Sequence, residues 1–371
     1  MKRGACALGM VLMGLWLGGP VAAQESESAD PPAEAADVMP APPAPAEEAA
    51  PAPTPAAAAP AAAVEGTRGI TVFGELLFLK PTLDDTYFAI SSPAPTPFTD
   101  PPSGHRVNGD FDFEPAFRIG AGYEFAESGR EVELSYTRLD AEASETVSGS
   151  FLWATRGSPN FTFTFGANTG GYSGSASAEI DAQYQRIDAH VTLPLEVSDI
   201  DLGLSLGFEW ADFRVGEDYV YVDTGAGRVG KVTAASRSWG IGPEVGLGLD
   251  YEICEPWDIP GVFSLRAGSS VGLLLSETHT RASQLGAATF SARDDETSRV
   301  ITALHARVGV GYAMPLADRI EATFGVGYQI DTHLRGLSRI EFVDDVGRSL
   351  ATTDYQDFDL QGVYLSFGVV F

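Results

Sequence analysis

The sequence predicts an all-β protein, a transmembrane antiparallel up-and-down β-barrel of ten strands behind a disordered Ala/Pro-rich leader. Three observations carry this. From residue 69 onward, apolar side chains alternate with charged residues and glycine, so that successive side chains point to opposite faces of a strand. The connections between these segments alternate between short and long, as in outer-membrane barrels. The chain then closes on Val363, Leu365, Phe367, Val369 and Phe371, an alternating apolar run ending in phenylalanine. No apolar run reaches the ~18–20 residues of a membrane-spanning helix. With 51 Asp and Glu against 23 Lys and Arg, the chain is also unsuited to binding nucleic acid.

Residues 1–23 read as a secretory signal peptide. Lys2 and Arg3 precede the apolar stretch 7–17, and Val21-Ala22-Ala23 offers small residues for cleavage. Cleavage would leave Cys254 as the lone cysteine, which excludes an internal disulfide, and no Cys/His spacing marks a metal site. Residues 24–68 form an Ala/Pro/Glu-rich tract with too few large apolar side chains to offset the entropy of ordering. It reads as a periplasmic linker, extended by its prolines and long enough for cell-wall contact. Residues 69–371 form the barrel.

The strand pattern is clearest in DFDFEPAFRIGAGYEF (110–125), where Phe111, Phe113, Phe117, Ile119, Ala121, Tyr123 and Phe125 share one parity. It recurs over 201–210, 239–253 and 319–331, and more weakly over 70–80, 130–140, 178–197, 262–275, 299–313 and 356–371. Short turns are expected at 126–129, 198–199, 254–261 and 314–318. Long polar connections are expected near 81–109, 141–177, 216–231, 276–298 and 332–355. A soluble β-sandwich also alternates, but has no reason to alternate short and long connections. Two features complicate the pattern. Asp357, Asp359 and Gln361 take the parity that turns apolar after Gly362, which predicts a register-shifting bulge there. Residues 150–165 resemble a hairpin with arms too short to span, expected above the membrane, with a twelve-strand barrel as the alternative.

Lipid cannot satisfy backbone hydrogen bonds, so the sheet must close, with 70–80 pairing 356–371. The apolar parity then meets lipid and the charged and glycine parity meets the lumen. The pore-lining candidates are Glu114, Arg118, Glu209, Glu244, Arg266, Arg307 and Glu321. Glu75, Glu124, Glu131, Glu133, Glu252, Arg319, His190 and His305 share that face. Tyr123, Phe125, Tyr251, Tyr312 and Phe371 lie near the turns, where an interfacial aromatic girdle belongs. Ten strands fall between small filled barrels and wide aqueous ones. The inward charges therefore fit either a salt-bridged plug or a narrow wet pore, and an excess of carboxylates would favour cations.

The stretches GELLFLKP (74–81), REVELSYTRLD (130–140), WGIGPEVGLGLDY (239–251) and YLSFGVVF (364–371) resemble the Legionella major outer-membrane-protein-like family of pore-forming proteins. The resemblance implies a porin-like outer-membrane barrel over 69–371, and carries over no solute and no binding residue. The closing strand resembles the C-terminal signature by which the barrel-assembly machinery of Gram-negative bacteria recognises its clients, with Phe371 as its last residue.

The leading functional expectation is passive diffusion of small hydrophilic solutes, with preference for cations. The alternative is a structural or adhesive barrel with a salt-bridged, closed lumen and binding loops. The third is a hydrolase at the outer rim, where His105, His279, His333, Asp110, Asp294, Asp295 and Asp331 would gather and Asp331 and His333 share a strand parity. No nucleophile elbow, paired metal-binding histidines or phosphate-binding glycine loop is present, so no enzyme, cofactor or metal is expected. The expected partners are outer-membrane lipid, the assembly machinery, and small solutes or cations.

Overall fold

The computed structural model describes residues 69–95, 104–167, 170–197, 200–254, 261–286, 289–317, 320–342 and 351–371. The expected signal peptide and linker lie outside the described residues, as do Arg319 and the side chains of Asp295 and Cys254. Twelve strands follow in order. They are β1 (Gly69–Leu83), β2 (Tyr87–Ser91), β3 (His105–Asn108), β4 (Glu114–Phe125), β5 (Arg130–Ala154), β6 (Tyr172–Val197), β7 (Ile200–Asp223), β8 (Arg228–Cys254), β9 (Val262–Leu285), β10 (Phe290–Ala317), β11 (Ile320–Phe342) and β12 (Ala351–Val370).

Ten of these close an antiparallel ring: β1 pairs with β4, each of β4 through β11 pairs with the next, and β12 returns to β1. The closing seam runs unbroken from Thr71 opposite Val370 to Leu83 opposite Phe358. Its lower end is tied by reciprocal backbone bonds between Ile70 and Phe371, at 3.3 and 3.0 Å. The strands β2 and β3 stand outside the ring, β2 pairing with the end of β5. The barrel is therefore ten-stranded, and the twelve-strand alternative is excluded.

The expected long polar connections are mostly strand. β6, β7, β8 and β10 run for 26, 24, 27 and 28 residues, and β7 passes to β8 through only residues 224–227. The sequence hides this because the solvent changes along each strand. On β5 the outward face reads Val132, Leu134, Tyr136, then Arg138, Asp140, Glu142. Its inward face reads Glu131, Glu133, Ser135, Thr137, then Leu139, Ala141, Ala143. Below the change the exterior is lipid and the interior polar; above it the exterior is water and the interior an apolar core. Both faces exchange polarity at one height while the backbone register continues.

The same exchange replaces the bulge expected at Gly362. Val363, Leu365 and Phe367 are exposed on the outer face, and Asp357, Asp359 and Gln361 lie on that same parity. Phe358 and Leu360 are fully buried inside. The pairing of β12 with both neighbours is continuous through Gly362. The nearby bulge belongs to β11, between His333 and Leu337. There Arg335 adopts φ 58° and its backbone N–H donates to Asp357 at 2.6 Å.

Residues 150–165 do not form a hairpin. Residues 151–154 extend β5, and the chain then makes a helical turn, Pro159–Thr162, running into a wider turn, Phe163–Ala167. Phe161 and Phe165 are buried with Phe88, Leu152, Tyr172, Tyr219 and Tyr221, so the segment packs as an apolar cap against the prolonged strands. The Tyr221 hydroxyl donates to the Phe88 carbonyl at 2.8 Å and ties the cap to β2.

Outside, the exposed apolar side chains form one belt. Ile70 to Phe78 and Leu202 to Trp210 each supply about nine residues, the length a tilted strand needs to cross the bilayer, and Val132, Leu134 and Tyr136 continue the belt on β5. Near the short-turn end Tyr123 stacks edge-on with Phe125 and Tyr312 lies against Phe263, while Tyr251 and Phe371 are exposed.

Candidate functional site

The lumen holds three layers that together determine what can pass. The lowest is a cavity of about 280 Å³ lined by residues that include Arg118, Glu133, Arg186, Asp188, His190, Glu244, His305 and Arg307. Two ion-pair groups stand over it. Glu75 on β1 accepts from Arg118 on β4 at 2.7 Å and from Arg307 on β10 at 2.7 Å. The Arg307 guanidinium lies 4.3 Å from the ring centre of Tyr364, and that ring lies so close to Gly309 and Gly327 that a Cβ at either would collide with it.

The second group centres on Arg186 of β6. Its guanidinium meets Asp188 at 2.5 Å, Glu244 at 3.3 Å, Asp331 at 3.5 Å and Glu209 at 3.6 Å. His305 joins Asp331 at 2.8 Å and Glu209 at 3.1 Å, and His333 meets Glu209 at 3.2 Å. These residues come from β6, β7, β8, β10 and β11, so the network crosses the lumen. The donor set Glu209, His305 and His333 lies within 4.8 Å, as do Asp188, Glu209 and Glu244. That spacing would suit a cation. The Arg186 guanidinium, however, already occupies the space among these carboxylates, and a second positive charge there would be repelled.

Above the charges the lumen is apolar. Phe213 of β7 stacks on Phe358 of β12 with ring centres 5.6 Å apart, and Tyr184 of β6 lies 5.9 Å from Phe358. β7 and β12 are on opposite sides of the ring, so this contact spans it. Leu77, Leu79, Leu139, Ile180, Leu274 and Ile301 complete the layer. Higher still, Arg339 donates to both carboxylate oxygens of Glu217 at 2.6 and 2.7 Å, and Arg156 and Arg339 share Asp85. Burial alone would raise the Glu217 carboxyl, but Arg339 and Arg156 beside it hold it below its ordinary value.

Of the pore-lining candidates, Arg118, Glu209, Glu244 and Arg307 are brought together in this network. Glu114 is half-buried at the upper start of β4, Arg266 pairs with Asp250 at 3.0 Å, and Glu321 is exposed beside the short-turn end of β11. Arg186 and Asp188 were not legible as lumen charges because the alternation along β6 is weak. Their shared parity with His190 was the signal that would have found them.

Asp331 and His333 do not form a pair at the rim. Both are buried in the lumen, and they bind His305 and Glu209 rather than each other. Successive residues on one strand face lie about 6–7 Å apart, which leaves each to pair across the barrel. His279 is on the outer wall, His105 is exposed on β3, and Asp294 accepts from Thr353 at 2.7 Å. Among the described residues no acid–histidine pair stands at the outer rim.

A closed antiparallel ring with a polar-to-apolar lumen and an apolar outer belt defines an outer-membrane β-barrel. Residues 65–371 match the family described as Legionella pneumophila major outer membrane protein precursor, and the chain belongs to it. Among solved structures, the outer membrane protease OmpT from Escherichia coli is similar with a TM-score of 0.42 and 10% identity. That match covers 82% of this chain and 96% of the other. The translocator domain of the autotransporter NalP from Neisseria meningitidis gives 0.29 and 13%, covering 81% and 88%. A FadL homologue from Pseudomonas aeruginosa gives 0.23 and 8%, covering 82% and 90%. No curated protein matches the chain.

Proposed function

We propose that the protein is a non-catalytic outer-membrane barrel with a closed lumen, which anchors a rigid strand-built turret and presents it to partners outside the cell. The carrying observation is the apolar layer: Phe213 on Phe358 at 5.6 Å, from opposite walls, sealed against a charge network that also crosses the lumen. A hydrated ion or sugar entering that layer would lose its water without replacement hydrogen bonds, a cost of several kcal/mol per polar group. The absence of passage is tested with proteoliposomes carrying the full mature chain. They are expected to swell no faster in isosmotic small sugars than protein-free vesicles, and rapid swelling would overturn the proposal.

A second reading, the porin-like one, is favoured by the cavity of about 280 Å³ on the short-turn side, which is lined by charged and hydroxyl groups. It requires the layer above to part, and the same swelling assay tells the two apart. Exchange with outer-membrane lipid and delivery by the assembly machinery through the strand ending in Phe371 belong to both readings.

A further inference from the structure

The outer wall carries a feature that neither reading uses. A groove of about 530 Å³ runs across the outer faces of β6 to β10, lined by Arg214, Arg237, His279, Arg281 and Arg293, with Asp181 as the acid among them. Arg214 stands directly opposite Arg237 in the β7–β8 register, and Arg281 directly opposite Arg293 in the β9–β10 register. Like charges in directly opposed positions repel. Asp212 offsets the first pair, accepting from Arg237 at 2.8 Å and Arg214 at 3.3 Å, but one carboxylate serves two guanidiniums. In a chain with more than twice as many acids as bases, such a concentration of arginine is not a solvated average surface.

Its height is equally informative. Arg237 is the next outward residue above Trp239, and Arg214 the second above Trp210, the last member of the apolar belt on β7. Leu275 and Ile241, both exposed, lie below the groove on β9 and β8, with Glu277 and Trp239 as the outward residues between them and it. Aromatic residues mark the membrane–water interface, and basic clusters just outside it recognise anionic lipid headgroups. The two arginine pairs are centred about 10 Å apart across the strands, with Arg281/Arg293 about 6–7 Å higher along them because Arg237 stands opposite His279. This spacing fits two phosphates on one headgroup whose acyl chains reach down to the apolar wall.

We propose that this groove binds a bis-phosphorylated glycolipid of the outer leaflet, one phosphate at Arg214/Arg237 and the other at Arg281/Arg293, with its acyl chains against the belt below. The proposal concerns the outer wall alone and stands whether or not the lumen conducts.

The test uses the full mature chain in detergent, with binding of bis-phosphorylated lipid A, the same lipid with both phosphates removed, and inorganic phosphate as competitor. Arg281→Gln with Arg293→Gln is expected to weaken lipid A binding at least tenfold. It should leave the dephosphorylated lipid unaffected. A control pair in the β7–β8 turn region, Arg228→Gln with Lys231→Gln, is expected to change binding less than twofold. Inorganic phosphate at the lipid's concentration is expected not to compete. Should the double variant lose the heat-shifted gel mobility of a folded barrel, Arg281→Gln alone is read instead, with a threefold or greater loss expected. Equal binding by wild type and variant, an equal loss in the control pair, or full competition by inorganic phosphate would each overturn the assignment.

Discussion

Arg186 is the residue on which the interior most depends. Four carboxylates lie within 3.6 Å of its guanidinium, from β6, β7, β8 and β11. Charges removed from water are tolerated only when paired, and removing one partner of a buried network costs about 3–5 kcal/mol. Arg186→Met is therefore expected to destabilise the folded barrel by about that amount in a denaturant titration, while Arg138→Met is expected to leave the unfolding midpoint unchanged. Arg138 pairs with Asp140 on the exposed outer face, where water screens the pair. Glu217 gives the corresponding pH dependence outside the membrane. Arg339 and Arg156 depress its carboxyl below the ordinary 4.5, so the unfolded chain binds its proton more readily. Its contribution is complete above 4.5 and is lost as pH falls through and below that value. Proteolysis of the outer cap is expected to accelerate in acid, and Glu217→Gln should flatten that dependence.

At the scale of the element, one strand serves two solvents. Leu206 lies mid-belt on β7 and is exposed to lipid, whereas Glu142 faces outward on β5 above the belt. Leu206→Arg is expected to cost about 2–4 kcal/mol in vesicle-embedded folding equilibria. Glu142→Arg should stay within about 0.5 kcal/mol. Equal costs would mean that the belt is misplaced. The two-solvent design also explains what the sequence did and did not disclose. Period two survives along the whole strand, so all ten ring strands, the turn at 126–129 and the β1–β12 seam were legible, while Met314–Ala317, expected as a turn, extend β10. Strand length was not, because Arg138, Asp140 and Glu142 look like loop residues until the water outside them is recognised. The parity reversal at Gly362 is the same phenomenon, an exchange of environments rather than a bulge. The segment 150–165 misled for a related reason: Phe161 and Phe165 alternate as in a strand, yet their neighbours are a cap.

For the whole molecule, the seal across the lumen is the central claim, and it was the least legible feature. Glu209, Glu244, Arg118 and Arg307 could be assigned to the inner face, but parity gives no distance across a ring. Whether opposite walls touch depends on Phe213, Tyr184 and Phe358 meeting from strands far apart in sequence. The most direct test is single-channel recording of the refolded mature chain in a planar bilayer under a salt gradient. The account predicts insertion of folded, heat-modifiable barrels that give no steady conductance steps. Stable, cation-selective openings in the wild-type protein, reduced by Glu244→Gln, would contradict it and restore the pore.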